Sequence, residues 1–279
     1  MLYDYFIITI DKEMACNQKE VNNVYENLFT RLWRESCGDY LNFGMFDDTC
    51  KTLIEANDNM VDWIIEKLNI DNKSTVLDIG CGRGKYTVEI AKKTDCKFVG
   101  VDIVEKFITC ANTLRDESNL SENGQFLVGD MLKLSEAVKD RRFTHVLALG
   151  SLFYVHDKMA PFLENVKPHM EANSLLLIHD FSRNVPLEEV KVVMNHWRTT
   201  ADTLETQNYL DIIKSAGFDN IYHSDDTAMG LKSCQWVVDV TEKIAPSDAD
   251  GKSTFTFWVL RDALKARRIL HNTIIARNV

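Results

Sequence analysis

Residues 76–84, Val-Leu-Asp-Ile-Gly-Cys-Gly-Arg-Gly, constrain the fold of this chain more than any other stretch. The first four residues are mainly apolar and lack helical periodicity, which is typical of a buried parallel strand. Three glycines separated by single residues follow, and glycine permits a sharp turn and a close approach of the backbone to a ligand. Residues 85–93 then have helical apolar spacing. A strand, a glycine-rich turn and a helix N-terminus predict a nucleotide-like ligand at the carboxyl end of a sheet.

From residue 74 onward, the chain alternates between strand-like and helix-like patterns. This alternation predicts a doubly wound parallel sheet. Strands are expected at residues 76–79, 97–102, 124–128, 143–149, 174–178, 220–223 and 272–276. Helices are expected between them at residues 85–93, 105–116, 132–138, 158–170 and 206–216. We therefore predict an α/β, Rossmann-like fold with a seven-stranded sheet.

Two further helices, at residues 18–36 and 52–68, precede the first predicted strand. The aromatic-rich segment Gly38-Asp-Tyr-Leu-Asn-Phe-Gly-Met-Phe46 lies between them. This order predicts an N-terminal helical lid over residues 1–72 and a core over residues 73–279. Two stretches with helical apolar spacing, near 182–203 and 225–268, are additional to the regular alternation of strands and helices. We expect both to be cap insertions that pack over the carboxyl edge of the sheet and close the site.

The net charge of −10 argues against a nucleic-acid partner, which would need a basic surface. Seven cysteines without paired or metal-like spacing favour a reducing compartment and predict no metal site. No apolar run approaches the length of a membrane span. The apolar residues 1–10 lack a basic lead and a cleavage pattern, so we expect no signal peptide and a cytoplasmic protein.

Three aspartates stand at the ends of the first three predicted strands. Asp78 would repel a pyrophosphate but suits a positively charged amino group, and the glycine spacing also departs from the dinucleotide pattern. Asp102 is placed to accept hydrogen bonds from ribose hydroxyls, and Asp130 to accept one from an adenine amino group, with Met131 against the ring. Each aspartate alone is equally well explained as a turn or helix-cap residue. The ordered set predicts S-adenosylmethionine, which carries an ammonium and a sulfonium beside an adenosine.

These motifs resemble a class I S-adenosylmethionine-dependent methyltransferase, and the resemblance runs from about residue 20 to the end. The chain is similar to the small-molecule group that includes tocopherol C-, sarcosine and phosphoethanolamine N-, sugar O- and sterol C-methyltransferases. The resemblance is carried by Tyr25, Trp33, the 38–46 segment and Leu77-Asp-Ile-Gly-Cys-Gly82. It implies that the 40–46 turn lies over the methionine end of the cofactor, and that S-adenosylhomocysteine is the product. The residues predicted to surround the cofactor are Tyr40, Phe43, Asp78, Gly80, Cys81, Gly82, Asp102, Ile103, Asp130, Met131 and Gly150.

The segment after the fourth strand, residues 150–156, should border the reacting methyl, because this strand lies beside the first across the switch point. Relatives often have one or two histidines where this chain has Phe153 and Tyr154, and a histidine there can act as a general base. We therefore predict Tyr154 or His156 as the proton acceptor, unless the reaction needs none. An exposed loop histidine is the alternative explanation for His156.

The fifth strand ends at His179-Asp-Phe181, which is similar to the Ala-Asp-Phe of related small-molecule enzymes. Asp180 is the third predicted catalytic residue and could orient or bind a cationic acceptor, although a turn-forming role is equally open. His179 is expected on the opposite face of the strand. Aromatic residues in the predicted lids could form a cage for a methylated ammonium, while packing is the simpler explanation for each; they are Tyr25, Trp33, Tyr40, Phe43, Phe46, Trp197 and Trp236.

We expect methyl transfer from S-adenosylmethionine to an N, O or C atom of a small-molecule acceptor, achieved mainly by alignment and by exclusion of water. The absence of an Asn/Asp-Pro-Pro-Tyr/Phe sequence, with the acidic charge, argues against DNA or glutamine as the target. A protein or RNA methyltransferase with an open groove is one alternative. A non-catalytic cofactor-binding homologue is another, favoured by the lack of histidine at positions 153 and 154. The acceptor and the oligomeric state stay open.

Overall fold

The computed structural model describes residues 28–196, 203–244 and 252–279. Tyr25, Trp197 and residues 1–10 therefore lie outside the described part of the chain. The strands are β1 (Thr75–Ile79), β2 (Lys97–Asp102), β3 (Gly124–Val128), β4 (Phe143–Leu149), β5 (Met170–Arg183), β6 (Phe218–Asp225) and β7 (Ile269–Asn278). The helices are α1 (Leu28–Cys37), α2 (Leu53–Leu68), α3 (Lys85–Thr94), α4 (Glu105–Glu117), α5 (Leu134–Val138), α6 (Met159–Val166), α7 (Lys191–His196), α8 (Thr206–Ser215), α9 (Thr227–Ile244) and α10 (Lys252–Lys265).

The strands form one sheet in the order β3-β2-β1-β4-β5-β7-β6. The first five strands pair in parallel, so the predicted doubly wound, Rossmann-like architecture is confirmed. The last strand, expected to be parallel, instead runs antiparallel to both β5 and β6. The physical reason is that β6 ends at Asp225, which pairs with Asn272 near the start of β7. The connection through α9 and α10 therefore begins and ends at the same edge of the sheet, which forces an antiparallel pair.

The two faces of the sheet belong to two separate apolar layers. Successive side chains alternate between them, as pleating requires: Val76 and Leu147 pack on one face, Leu77 and Val146 on the other. The first face, which we call the lid face, is covered by α1, α2, α3, α4, α7, α9 and α10. The other face is covered by α5, α6 and α8. No helix in the described residues is long and apolar enough to cross a membrane.

The 38–46 segment joins α1 to α2 and is docked on α2. Thr52 caps α2 by accepting a hydrogen bond from the Glu55 amide at 3.2 Å. A Cβ on Gly44 would lie 2.3 Å from the backbone of Ala56 and Asn57, so only glycine allows this approach. The Met45 amide donates to the Ala56 carbonyl at 2.9 Å. This segment is therefore held against a helix that itself packs on the sheet.

Helix α9, from the predicted insertion at 225–268, covers the same segment from the other side. The Ser233 hydroxyl donates to the carbonyl of Gly44 at 3.4 Å, and the Trp236 indole donates to the carbonyl of Ser36 in α1 at 3.0 Å. Trp236 also packs against Phe46, with ring centroids 6.4 Å apart. The insertion and the N-terminal helices thus form one assembly on the lid face.

Candidate active site

The glycine turn that follows β1 is tied to β2. The amides of Gly80 and Cys81 both donate to the carbonyl of Val101, at 2.8 and 3.1 Å. Gly80 has a φ of 72°, and a Cβ there would lie 2.4 Å from Cβ of Ser151. Gly82 also has a positive φ, 54°. The turn therefore needs glycine for its backbone conformation and for its close approach to the segment after β4.

Two carboxylates flank this turn. Asp78 is buried at the end of β1 and accepts a hydrogen bond from the Thr87 hydroxyl of α3. Burial, opposed by that hydrogen bond and reinforced by the charge of Asp102, raises the pKa of Asp78 to about 7. Asp102 accepts from the amides of Gly82 and Val104, at 2.8 and 2.9 Å, and burial raises its pKa as well. A bound cation would favour the ionised form of Asp78.

The remaining residues predicted on this side occupy the neighbouring strand ends. Asp130 accepts a hydrogen bond from the Leu132 amide at 2.8 Å and so caps a short 3-10 turn. This is the helix-cap role that the sequence left open for it. Met131 lies beside the glycine turn, its Cε 3.7 Å from the position of a Cβ on Gly80. Ile103 is largely exposed at the end of β2. Burial keeps the pKa of the Cys81 thiol well above its ordinary value, so this sulfur is a packed, neutral group.

The 40–46 turn lies directly against the glycine turn. Leu41 Cδ1 is 2.8 Å from the position of a Cβ on Gly82, and Asn42 Oδ1 is 3.0 Å from the corresponding position on Gly150. Arg83, inside the glycine turn, pairs with Asp39 at 2.9 Å, and its side chain is only 10% exposed. Residues 39–42 therefore contact both the glycine turn and the residue that follows β4.

The two aromatic residues predicted in this turn are held within the lid. Tyr40 is buried, and its hydroxyl donates to Asp58 at 2.5 Å. Phe43 is buried among aromatic rings, 5.6 Å from Trp33 and 5.8 Å from Phe181 between ring centroids. Both side chains thus fix the turn. Their burial supports packing, rather than a cage for a methylated ammonium, as the role of these two rings.

Asp180 organises the backbone on the acceptor side. One of its carboxylate oxygens accepts from the amides of Leu152 and Phe153, at 2.7 and 3.1 Å, and the other accepts from the Phe181 amide at 2.7 Å. Burial raises the pKa of Asp180 to about 7, although these amides oppose the shift. The carboxylate fastens the segment after β4 to the end of β5, which is the role of a positioning residue.

The other two predicted catalytic residues lie in different surroundings. Tyr154 is 39% exposed and stacks near Phe153, with ring centroids 3.9 Å apart. His156 is buried, which excludes the exposed loop histidine considered from the sequence. Its Nδ1 accepts from the Leu204 amide at 3.2 Å, its ring packs on Tyr209, and burial lowers its pKa to about 3. His156 thus faces α8, away from the lid, and is not brought together with Tyr154.

A polar cluster that sequence reasoning missed is buried on the lid face beside Phe43. His179 points to this face, opposite to Asp180 as expected. Its Nδ1 is 2.8 Å from the Thr273 hydroxyl, and its Nε2 is 3.3 Å from the carbonyl of Phe43. Thr273 in turn hydrogen-bonds Asp226. The ring of His271 lies 4.0 Å from that of His179 between centroids.

Both ring nitrogens of His179 have partners in this cluster. A carbonyl only accepts, so Nε2 of His179 carries a hydrogen. Burial lowers the pKa of His179, although the neighbouring Asp226 and the carbonyl of Phe43 oppose this shift. The lowered pKa favours the neutral ring.

A family model described as a methyltransferase domain matches residues 70–222, more than half of the 279-residue chain. The chain belongs to this methyltransferase family. The match runs from the end of α2 into β6, so it includes the glycine turn, the three strand-terminal aspartates and the segment after β4. The class I methyltransferase predicted from the sequence is therefore confirmed.

The chain is also similar to individual proteins of known activity, each at 29% identity. Norajmaline N-methyltransferase of Rauvolfia serpentina is 29% identical over 182 residues, 62% of this chain and 62% of that protein. The 27-O-demethylrifamycin SV methyltransferase of Amycolatopsis mediterranei is 29% identical over 136 residues, 49% of this chain and 48% of that protein. The chain thus spans less than two thirds of the length of both relatives.

Solved structures share the fold of the methyltransferase. A crystal structure of geranyl diphosphate C-methyltransferase from Streptomyces coelicolor A3(2), in complex with Mg²⁺, geranyl diphosphate and S-adenosyl-L-homocysteine, has a TM-score of 0.75. It is 15% identical, and the match covers 94% of this chain and 97% of that one. The cyclopropane synthase MmaA2 from Mycobacterium tuberculosis has a TM-score of 0.77 at 15% identity, covering 89% of this chain and 93% of that one. At these identities the likeness shows the fold alone.

The polar residues that sequence reasoning missed lie far along the chain from the glycine turn. Asp226 lies between β6 and α9, and His271 lies in β7. The signal for His271 was the polar triplet His271-Asn-Thr273 inside an otherwise apolar strand. Polar residues buried in a strand indicate a specific partner, but the sequence does not name that partner.

Proposed function

We propose that this chain transfers a methyl group from S-adenosylmethionine to an N, O or C atom of a small-molecule acceptor. The observation that carries the proposal is the buried Asp78 beside the glycine turn. Its raised pKa of about 7 shows that burial disfavours its charge, and the ammonium of the proposed cofactor would compensate that charge. A dinucleotide would instead bring a pyrophosphate towards this carboxylate.

The lid supplies a second argument for this ligand. Asn42 is buried next to Gly150, and its Nδ2 has no hydrogen-bond partner among the described residues. Unpartnered buried donors are rare because they cost free energy. A carboxylate or hydroxyl of the cofactor at this point would accept from it. The remaining cofactor-binding residues of the proposal are those predicted from the sequence around the glycine turn, with Asp102 for the ribose and Met131 against the adenine.

The proposed chemistry depends on alignment. The cofactor, when bound, supplies an activated methyl with a good leaving group, so the protein has to hold the acceptor in line and exclude water. Asp180 contributes by fixing the segment after β4, and the lid contributes by covering the glycine turn. Of the predicted proton acceptors, Tyr154 is the one with an exposed side chain, whereas His156 is a weak base in its buried position.

We further propose that residues 1–72 act as the lid of a core at 73–279, with caps near 182–203 and 225–268. The acidic net charge of −10 supports a small-molecule acceptor over a nucleic acid. The six cysteines in the described part of the chain are free thiols, which supports a reducing compartment such as the cytoplasm.

The experiment that tests the proposal is calorimetric titration with S-adenosylhomocysteine, followed by a panel of amines, phenols and sterols with S-adenosylmethionine. Asp102→Ala should weaken binding of S-adenosylhomocysteine by about 1–3 kcal/mol, because it removes a hydrogen-bond acceptor from the site. Asp219→Ala, an exposed aspartate in β6, is the matched control and should bind normally. Unchanged affinity in Asp102→Ala would refute the assignment of the site. Binding without turnover of any small molecule would favour a non-catalytic homologue.

A further inference from the structure

His271 is a buried histidine whose two ring nitrogens have no hydrogen-bond partner among the described residues. It is 1% exposed. A neutral imidazole presents one donor and one acceptor, and burying both without partners destabilises the folded protein. Unpaired buried groups in a folded protein need an explanation. The surroundings of His271 support one explanation, namely a ligand that hydrogen-bonds to the ring.

The surroundings place His271 beside the acceptor side of the site. In the antiparallel pair of β5 and β7, His271 lies opposite Phe181, and the two rings stack with centroids 4.6 Å apart. Phe43 of the lid covers the imidazole, with ring centroids 6.1 Å apart. The carbonyl of the adjacent His179 accepts from the amide of Gly150, the residue expected to border the reacting methyl. Movement of the 40–46 turn would uncover His271 next to this point.

Helix α9 is shaped to leave room for this ring. A Cβ on Gly230 would lie 2.8 Å from Nδ1 of His271, so any larger residue at position 230 would displace the imidazole. The Thr227 hydroxyl also accepts from the backbone amide of His271 at 3.1 Å, which fixes the strand at this residue. The ring is therefore held in one place by backbone and packing while its nitrogens stay unpaired.

The surroundings of His271 keep its ring neutral. Burial and the adjacent His179 hold the pKa of His271 well below its ordinary value. The polar side chains nearby are already engaged, because Thr273 contacts His179 and Asp226 rather than His271. The neutral ring of His271 therefore presents one N–H donor and one unprotonated nitrogen to a ligand.

We propose that His271 is the acceptor-facing residue, whose unprotonated ring nitrogen accepts a hydrogen bond from the acceptor's amine and holds its lone pair in line with the methyl group. This inference rests on the proposed function. The acceptor's lone pair forms the new bond to the methyl carbon, and the carbon–sulfur bond breaks with its electron pair going to sulfur. The methylated nitrogen keeps its hydrogen as an ammonium and loses it to solvent after the product leaves. His179, Thr273 and Asp226 act as positioning residues around it.

The first test compares thermal stability without any acceptor. His271→Leu replaces the ring by an apolar side chain of similar volume and should leave Tm unchanged or raise it, because it removes two unpaired polar atoms. His145→Leu is the matched control. His145 is also buried, but its ring nitrogens contact the Leu68 carbonyl at 3.0 Å and the Thr144 hydroxyl at 2.8 Å, so this variant should lose several degrees. An equal loss in both variants would show that His271 is structural and would overturn the proposal.

The second test observes the ring directly. Protein labelled with ¹⁵N-histidine and saturated with S-adenosylhomocysteine is titrated with phenol and with N-methylbenzylamine, and the His271 resonances are assigned by their absence in His271→Gln. We expect them to shift with at least one probe while those of His145 do not move. No shift with either probe would contradict the proposal. Failure of the wild-type protein to bind S-adenosylhomocysteine would instead refute the proposed function. Normal binding of S-adenosylhomocysteine by His271→Leu would show that the cofactor site is intact, so that a negative result then concerns the role of His271 alone.

Discussion

At the scale of single residues, the site combines a buried carboxyl group with a turn that requires glycine. Asp78 is buried with a pKa of about 7, and Gly80 and Gly82 adopt positive φ angles at points of close contact. Burial of a charged Asp78 destabilises the free protein. Perturbed pKa values of this kind concentrate at functional sites, where a ligand can compensate the charge.

Asp78 gives the free energy of unfolding a defined pH dependence. Its pKa in the folded protein, about 7, lies above the ordinary value of 3.8. The folded state therefore holds this proton more tightly than the unfolded state, and Asp78 makes the protein less stable as pH rises from about 4 to about 7. Asp78→Asn should lose this contribution, so it should exceed the wild type in urea stability at pH 8 while binding S-adenosylhomocysteine more weakly. Asp219→Asn should change neither property, and parallel pH profiles for Asp78→Asn and the wild type would disprove this account.

Gly80→Ala tests the backbone requirement of the glycine turn. A left-handed conformation costs a non-glycine residue about 1–2 kcal/mol, and the new methyl group would lie 2.4 Å from Cβ of Ser151. We expect a loss of more than about 1 kcal/mol in urea unfolding, together with weaker binding of S-adenosylhomocysteine. The double variant Gly80→Ala/Ser151→Gly relieves the contact but keeps the conformational cost, so it should recover only part of the stability. Full recovery would show that the φ angle is of no consequence.

At the scale of elements, carboxylates and carbonyls fix the loops that border the site. Asp180 joins the segment after β4 to the end of β5 through three backbone amides. His179, its neighbour, contacts the carbonyl of Phe43 in the lid from the opposite face of the same strand. Two successive residues of β5 thus hold the two loops that we propose to enclose the acceptor.

Asp180→Ala should destabilise the protein rather than only reduce its activity. The substitution leaves three buried amides without an acceptor, and each unsatisfied group costs about 1–3 kcal/mol before the segment relaxes. We expect a loss of a few kcal/mol in urea unfolding, with methyl transfer falling further than affinity for S-adenosylhomocysteine. Asp157→Ala removes an exposed carboxylate from the same loop and serves as the control. Normal stability in Asp180→Ala would mean that its carboxylate serves the acceptor instead of the backbone.

At the scale of the whole molecule, the lid, the sheet and α9 act as one packed unit around the proposed cofactor. Trp33, Phe43, Cys234 and Leu177 belong to one continuous apolar cluster, although they come from the N-terminal helices, α9 and β5. A ligand between the glycine turn and the 40–46 turn would therefore bind to segments that are packed into this common cluster. Its binding should be transmitted to the stability of the entire fold.

S-adenosylhomocysteine should raise the melting temperature of the wild-type protein. At a concentration of 100 times Kd, binding to the folded state contributes about 2.7 kcal/mol, which corresponds to roughly 5 °C or more for a domain of this size. Calorimetric melting scans with increasing ligand measure the shift. Asp102→Ala should show a smaller shift at the same ligand concentration. A concentration-independent Tm would contradict a site in this part of the fold.

Short-range patterns in the sequence were enough to predict the local elements and to propose the cofactor-binding residues. All seven strands and the helices between them follow from apolar periodicity, and each strand was predicted within a few residues of its observed bounds, apart from the longer ends of β5 and β7. The sequence was enough to predict that the three strand-terminal aspartates lie close together, because neighbouring parallel strands place their carboxyl ends at one edge of the sheet. These inferences need only short segments of chain, since local spacing and backbone sterics determine them.

The residues that we propose on the acceptor side could not be brought together from the sequence, because their positions depend on tertiary packing. Whether β7 runs parallel or antiparallel depends on where α9 and α10 return the chain, and only the antiparallel arrangement places His271 beside Phe181. The burial of His156 against Tyr209 depends likewise on the packing of α8. In each case the partners are distant in sequence and are joined by close packing, which is set by the shapes of whole elements rather than by the pattern of any one of them. The glycine turn therefore identified the proposed donor, while the register of β5 and β7 assembled the histidines that we propose to face the acceptor.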